Sequence, residues 1–228
     1  MWTGQLQPNS LITPIVNQEG QVRQYLVNNP IDDPEEGEVR APIQSASTIK
    51  IPVDESKCSN KKNGIVRAYA ANTNKGIIRN YNEDRVSIIL NILKPHSWEG
   101  EEWPKCSFFG VFDGHGGAKC ADFLRDNLHQ FVIKEPSFPQ DPEKAIWRGF
   151  MAAEQAFLQA AMANPGGHEK SGSCAIVLLI IGSTCYSVNV GDSWAVLSAD
   201  YGTNVAPLSK DHKPAEEGEK KRIHDNGG

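Results

Sequence analysis

The chain has no long run of Lys or Arg, and its formal net charge is −5 over 228 residues. Binding to a phosphate backbone depends on clustered basic side chains, so nucleic acid is not an expected partner. No apolar stretch approaches the roughly 18 residues that suggest a membrane span. The longest, Cys174 to Gly182, is half that length and reads as a buried strand. The N-terminal MWTGQLQPNS lacks a basic flank followed by an apolar stretch, so no signal peptide is expected. Trp2 stands where N-myristoylation needs glycine. Cysteine is sparse. Cys58, Cys106, Cys120, Cys174 and Cys185 form no CxxC pair and are odd in number, which argues against a zinc site or a disulfide framework. Free thiols fit a reducing compartment, so the cytoplasm or nucleus is the expected location.

What is present divides the chain in two. Residues 1–60 hold 6 of the 14 prolines and 8 acids against 4 bases, and their only aromatics are Trp2 and Tyr25. With so little apolar surface to offset ordering entropy, this segment reads as a low-complexity, mostly disordered tail, with 61–228 as the folded domain. No internal repeat is visible. In the domain, strands are expected over 65–71, 85–92 and 107–113, where β-branched and aromatic residues alternate or cluster. Helices follow over 117–133 and 142–162, where Ala121, Leu124, Leu128 and Phe131, then Ile146, Phe150, Ala153, Phe157 and Ala160, recur at helical spacing. Asp141 before Pro142 is a cap and first-turn pair. Strands over 174–182, 184–190 and 194–200 read as an antiparallel meander, and a short final helix ends at Gly227. This order argues for an α+β fold, with helices packed on the faces of antiparallel sheet.

The chemistry gathers at the end of the third strand, FFGVFDGHGG (108–117). Asp-Gly is a common turn dipeptide, but a turn does not call for His-Gly-Gly after it. An acid at the mouth of a buried strand, beside backbone left bare by glycines, suits a hard cation: the Asp113 carboxylate and the Gly114 carbonyl are both oxygen donors. GIIRNYNEDR (76–85) places Glu83 and Asp84 near Arg79. The plain alternative is a solvated loop with surface ion pairs of little energetic value. The sharper one has the acids on a metal and the planar guanidinium on a phosphate.

The segments G-x-x-R-x-x-N-E-D and F-x-x-V-F-D-G-H-G-G, then SGSCA (171–175), NVGDS (189–193) and DHKP (211–214) with Glu219, Arg222, Ile223, Gly227 and Gly228, resemble in order the motifs of the metal-dependent protein phosphatases of the protein phosphatase 2C (PPM) type. The resemblance covers 64–228. It implies an α-β-β-α sandwich of antiparallel sheets flanked by helices, and a protein Ser/Thr phosphatase using two Mg²⁺ or Mn²⁺ ions to activate a water. It further implies that Asp113 bridges the metals, with Glu83 and the Gly114 carbonyl as ligands and Asp84 supporting metal-bound water. Arg79 would hold the phosphoryl oxygens and His115 would protonate the leaving alkoxide. Asp211 is a candidate ligand for a third metal, and Asp192 is read as structural. The implied partners are phosphoprotein substrates, without nucleic acid or membrane, and the chain is read as a monomer.

Two departures stand out. Trp194 occupies the place after G-D-S where the family usually has arginine, a position expected to pack on the sheet rather than in the metal cleft. The family's two further metal-binding aspartates, in a D-G-x-x-D segment and near a D-N, have no counterpart up to Gly228, and Asp225-Asn226 lies in a different motif. The chain thus reads as roughly the first two-thirds of the catalytic domain, truncated at its C-terminus. These residues alone are expected to have negligible phosphatase activity, with open sheet edges that invite association. A non-catalytic phosphatase-like binding module is one alternative. Another is a serine esterase using Ser193 of GDSW, with GHGG as its oxyanion loop. It lacks a G-x-S-x-G elbow, and the only D-x-x-H, Asp126 to His129, precedes the serine.

Overall fold

The computed structural model describes residues 12–13, 57–59, 65–96, 98–100, 102–163 and 169–228. Its centre is β5 (Cys106–Phe112), flanked by β4 (Arg85–Ile89) and β8 (Ala175–Ile181). Next to β8 lies β9 (Thr184–Val190), then β1 (Ile12–Thr13), all antiparallel, in the order β1-β9-β8-β5-β4. Period-2 alternation gives this sheet two faces. Cys106, Phe108 and Phe112 of β5, with Val177 and Leu179 of β8, point to one of them and are almost fully buried.

Two helices cover that face: α1 (Lys119–Ile133) and α2 (Pro142–Met162). Their inward residues Ala121, Leu128, Val132, Ile146 and Phe150 join the strand residues in one core. The helices approach closely at Gly149, where a Cβ would lie 2.8 Å from the Val132 backbone. Asp141 caps α2 as its sequence suggests, accepting from the Lys144 amide at 3.1 Å. The α1 helix starts two residues later than its periodicity implies, because Gly116 (φ +67°) and Gly117 (φ +124°) hold left-handed backbone that a helix excludes.

The opposite face carries the cross-strand pairs Val86–Val111 and Ile88–Phe109, and on the other side of β5 Val111–Ile176 and Phe109–Leu178. Short ribbons lie at its margins. β2 (Lys57–Ser59) pairs with β3 (Tyr69–Ala71), and Tyr69 meets Phe109 with ring centroids 6.2 Å apart. β10 (Val196–Ala199) pairs with β11 (Asn204–Pro207). The architecture is α+β, helices on antiparallel sheet, as expected.

Further details differ from the sequence reading, among them β4, which ends at Ile89 where a strand over 85–92 was expected. The first strand spans only Tyr69–Ala71. The meander stops at two strands: Gly191 turns the chain with φ +108°, β10 pairs with β11 instead of β9, and the free edge of β9 takes β1. β11 itself was not expected; it follows a turn in which Asp200 and Tyr201 both have positive φ. Of the segment read as a tail, Ile12–Thr13 and Lys57–Ser59 form strands, and the remainder lies outside the described residues. The last helix, α3 (Glu217–Asp225), is closed by Gly227 at φ +84° and by the Gly228 amide donating to the Ile223 carbonyl at 3.0 Å.

Candidate active site

The register of β4 against β5 builds the site. Arg85 pairs with Phe112, so one step beyond the ladder Asp84 faces Asp113, and one further Glu83 faces Gly114. At Gly114 the chains come so close that a Cβ would collide with the Glu83 carbonyl oxygen. Only glycine fits there, and this close approach explains the Asp-Gly sequence at the strand end better than a turn does. Arg79, Tyr81, Glu83, Asp84, Asp113 and Gly114 line one open cleft, together with Asn74, Lys75 and Asn82.

Within the cleft the three acids differ. Burial, and then the neighbouring Asp113 carboxylate, push the Asp84 carboxyl above the usual carboxylate range, against a smaller lowering by Arg85. Two adjoining carboxylates with incomplete hydration are the arrangement that a divalent cation would relieve. The Glu83 side chain is only 10% exposed and fully engaged. Its Oε1 accepts from the Gly117 amide at 2.6 Å and the Tyr81 hydroxyl at 3.2 Å, and its Oε2 from Arg79 Nη1 at 3.1 Å. Glu83 therefore ties the 79–83 loop to the start of α1. Tyr81 and Gly117 are site residues that sequence reasoning missed; the glycine run hinted at Gly117, and nothing marked Tyr81. The Arg79 side chain is 72% exposed, and among the described residues its ion pair with Glu83 is a weak restraint.

The donor chemistry at Asp84 and Asp113 fits a hard cation, with Glu83 adjacent. Among the described residues no group of three or more His, Cys, Asp or Glu is placed to hold a metal ion. The donors in this chain thus make a partial set.

His115 belongs to the same strand end but opens to the other side. It forms the two-residue strand β6 (Gly114–His115), which pairs with β7 (Gly172–Ser173). Its imidazole lies on Gly172, where a Cβ would overlap Nε2, and it lines a neighbouring cavity between α1, α2 and 169–175. The SGSCA segment supplies the frame: the Ser171 hydroxyl accepts from the Cys120 amide at 3.0 Å, and the Cys174 amide donates to the Asp113 carbonyl at 2.9 Å.

Asp211 is not among the residues that line the cleft. Its Oδ1 accepts from Trp194 Nε1 at 2.6 Å and its Oδ2 from Lys213 Nζ at 2.8 Å, and Lys213, then Trp194, hold its carboxyl below the usual range. Trp194 lines the outer sheet face beside Val111 and Ile176 but remains 75% exposed. Asp192 accepts from the Cys174 thiol at 3.3 Å and lies 3.6 Å from Lys213. Ser193 sits in the turn after β9, its carbonyl accepting from the Ser209 hydroxyl, whereas Asp126 and His129 belong to α1.

Residues 78–228 match the family model described as Protein phosphatase 2C. The chain belongs to the protein phosphatase 2C family, which leaves no place for the Ser193 esterase reading. It is 40% identical over 146 residues to "Probable protein phosphatase 2C 55" of Oryza sativa subsp. japonica, covering 64% of this chain and 35% of that protein. It is 41% identical over 148 residues to "Protein phosphatase 2C homolog 2" of Hypocrea jecorina, covering 64% and 32%. The chain thus spans about a third of the length of these curated relatives. Among solved structures, the serine-threonine phosphatase 2C from Toxoplasma gondii aligns with a TM-score of 0.51 at 22% identity, over 78% of this chain and 56% of that one. That likeness supports the fold. No helix among the described residues is long and apolar enough to cross a membrane.

Proposed function

We propose that this chain carries the phosphate-gripping and part of the metal-holding apparatus of a Mg²⁺- or Mn²⁺-dependent protein Ser/Thr phosphatase, whose substrates are phosphoseryl and phosphothreonyl proteins. The observation that carries this reading is the convergence of Arg79, Glu83, Asp84, Asp113 and Gly114 on one cleft at the joined ends of β4 and β5.

In this reading Asp113, with Glu83 and the Gly114 carbonyl, would hold the cations, and Asp84 would support them through water. When bound, these would act as Lewis acids and make a water nucleophilic near neutral pH. Arg79 would leave its bond to Glu83 and take two phosphoryl oxygens through its planar fork, which orients the ester for in-line attack. His115 lines the neighbouring cavity and not the cleft, so it would supply the proton that the seryl or threonyl oxygen needs on leaving only after its ring swings off Gly172, a contribution then of roughly 10²–10⁴-fold. Packing of its ring on Gly172 limits the orientations it can take. No side chain of this set needs to become phosphorylated, so the thiols play no part. Asp211, already bonded to Trp194 and Lys213, is the weakest candidate for an additional ligand.

The direct test is Mn²⁺ binding to the 228-residue chain, read by the electron paramagnetic resonance of free Mn²⁺. Wild type should bind the ion, and Asp113→Asn should lose it. Equal binding by the two proteins would remove Asp113 from the site. Phosphate release from a phosphopeptide by these residues alone should be negligible, and robust turnover would refute the expectation that further aspartates are required.

A further inference from the structure

Two of the three acids of the cleft, Glu83 and Asp84, lie on a segment, 82–84, that has no regular secondary structure and must stay in register against mutual repulsion. Its geometry is fixed by a residue outside the cleft set. Arg85, the first residue of β4, donates from Nη1 to two backbone carbonyls, those of Asn82 and Asp84, both at 2.8 Å. The same guanidinium grips one carboxylate on α1: Nε donates to Asp122 Oδ1 at 2.6 Å and Nη2 to Asp122 Oδ2 at 3.3 Å. The Arg85 side chain is 24% exposed, so water competes weakly for these bonds. Asp122 is held in turn by Arg125, 3.0 Å away on the same helix. With the bond from the Gly117 amide to Glu83, the acidic segment is fastened to α1 at two points, one on each side of Asp84.

We propose that Arg85 and Asp122 form a positioning clamp that presets Asp84 and Glu83 opposite Asp113, so that the cleft is organised before any cation or phosphate arrives. A planar guanidinium can bond a carboxylate through one edge and two carbonyls through another, whereas an ammonium cannot hold that geometry. Residues that orient ligating groups from outside typically change metal affinity about 10–100-fold when replaced. The clamp deepens the metal-phosphatase reading and rests on it only for the affinity readout below.

The test uses the 228-residue chain with Arg85→Lys, Asp122→Asn and, as control, Arg125→Lys, which alters the helix ion pairs without touching 82–84. In the metal-free protein, hydrogen–deuterium exchange at the 82–84 amides and at Gly117 should speed up in Arg85→Lys and Asp122→Asn and stay unchanged in Arg125→Lys. Mn²⁺ affinity should fall about tenfold or more in the first two variants, with melting temperature little altered in Arg85→Lys, which keeps the charge. An ordinary structural ion pair would lower the melting temperature and leave affinity in place. Unchanged exchange at 82–84 in Arg85→Lys overturns the clamp whatever the metal does. Faster exchange in a protein whose wild type binds no Mn²⁺ keeps the clamp and removes the metal reading instead.

Discussion

Replacing Gly114 with alanine isolates the contact that brings the two motif segments together. The added methyl would overlap the Glu83 carbonyl oxygen and stand 3.2 Å from the Ala121 Cβ. The first neighbour is backbone two residues beyond the β4–β5 ladder, and the bond from the Gly117 amide to the Glu83 carboxylate holds that residue in place, so it cannot simply rotate aside. The φ of Gly114 is not in the left-handed region, so the penalty is steric and not conformational. Overpacking at a rigid contact costs about 1–3 kcal/mol. For a domain of this size each kcal/mol shifts the melting temperature by about 2–4 °C, which gives a fall of about 2–12 °C. The strain has one outlet, separation of 83–84 from 113–114, so Mn²⁺ affinity should fall in the same variant. Gly218→Ala is the control. Nothing lies within 4 Å of a Cβ there and the residue sits in α3, so alanine should raise stability by about 0.5–1 kcal/mol through helix propensity. Calorimetry of the three proteins decides the matter. A Gly114→Ala protein that melts with wild type and binds Mn²⁺ equally would show that the two segments are not in contact and would undo the site described here.

Three other outcomes are expected. Asp141→Ala removes the only side-chain cap of α2 and should destabilise the chain by about 1 kcal/mol, measured by urea unfolding. Lys119, then the Ser171 backbone amide, hold the Glu169 carboxyl down at about 2. A depressed carboxyl stabilises the fold above its unfolded value and loses that contribution as pH falls through the folded one. The melting-temperature gap between wild type and Glu169→Gln should therefore be constant near neutrality, shrink below about pH 4.5 and close near pH 2; a gap that widens on acidification would reverse the assignment. Burial pushes the thiols of Cys106 and Cys185 up to about 11, and that of Cys120 up to about 12, where Glu154 adds to the effect. In the native protein at pH 8 these three should resist iodoacetamide while the unfolded chain is alkylated throughout, as read by peptide mass spectrometry.

The sequence by itself determined the local elements whose signals are local. The aromatic cluster in CSFFGVF and the apolar run AIVLLII specify strands that must be largely buried. The Asp141–Pro142 pair starts α2 where it says it will. Residue chemistry marked Arg79, Glu83, Asp84, Asp113 and Gly114 as suited to phosphate and a hard cation, and the resemblance of the ordered motifs to the protein phosphatase 2C family joined them, with His115, into one set. Only the tertiary structure decided which of them meet. The β4–β5 register brings Asp84 to Asp113, and Gly114 to the Glu83 backbone, and register is a long-range property that no short window encodes. Tertiary packing also turned His115 onto Gly172, tied Asp211 to Trp194 and Lys213, and moved β10 off the edge of β9. It recruited Tyr81, Gly117, Arg85 and Asp122, whose roles consist of hydrogen bonds to groups that only folding brings near: the Glu83 carboxylate for the first two, and for the last two each other across 37 residues of chain.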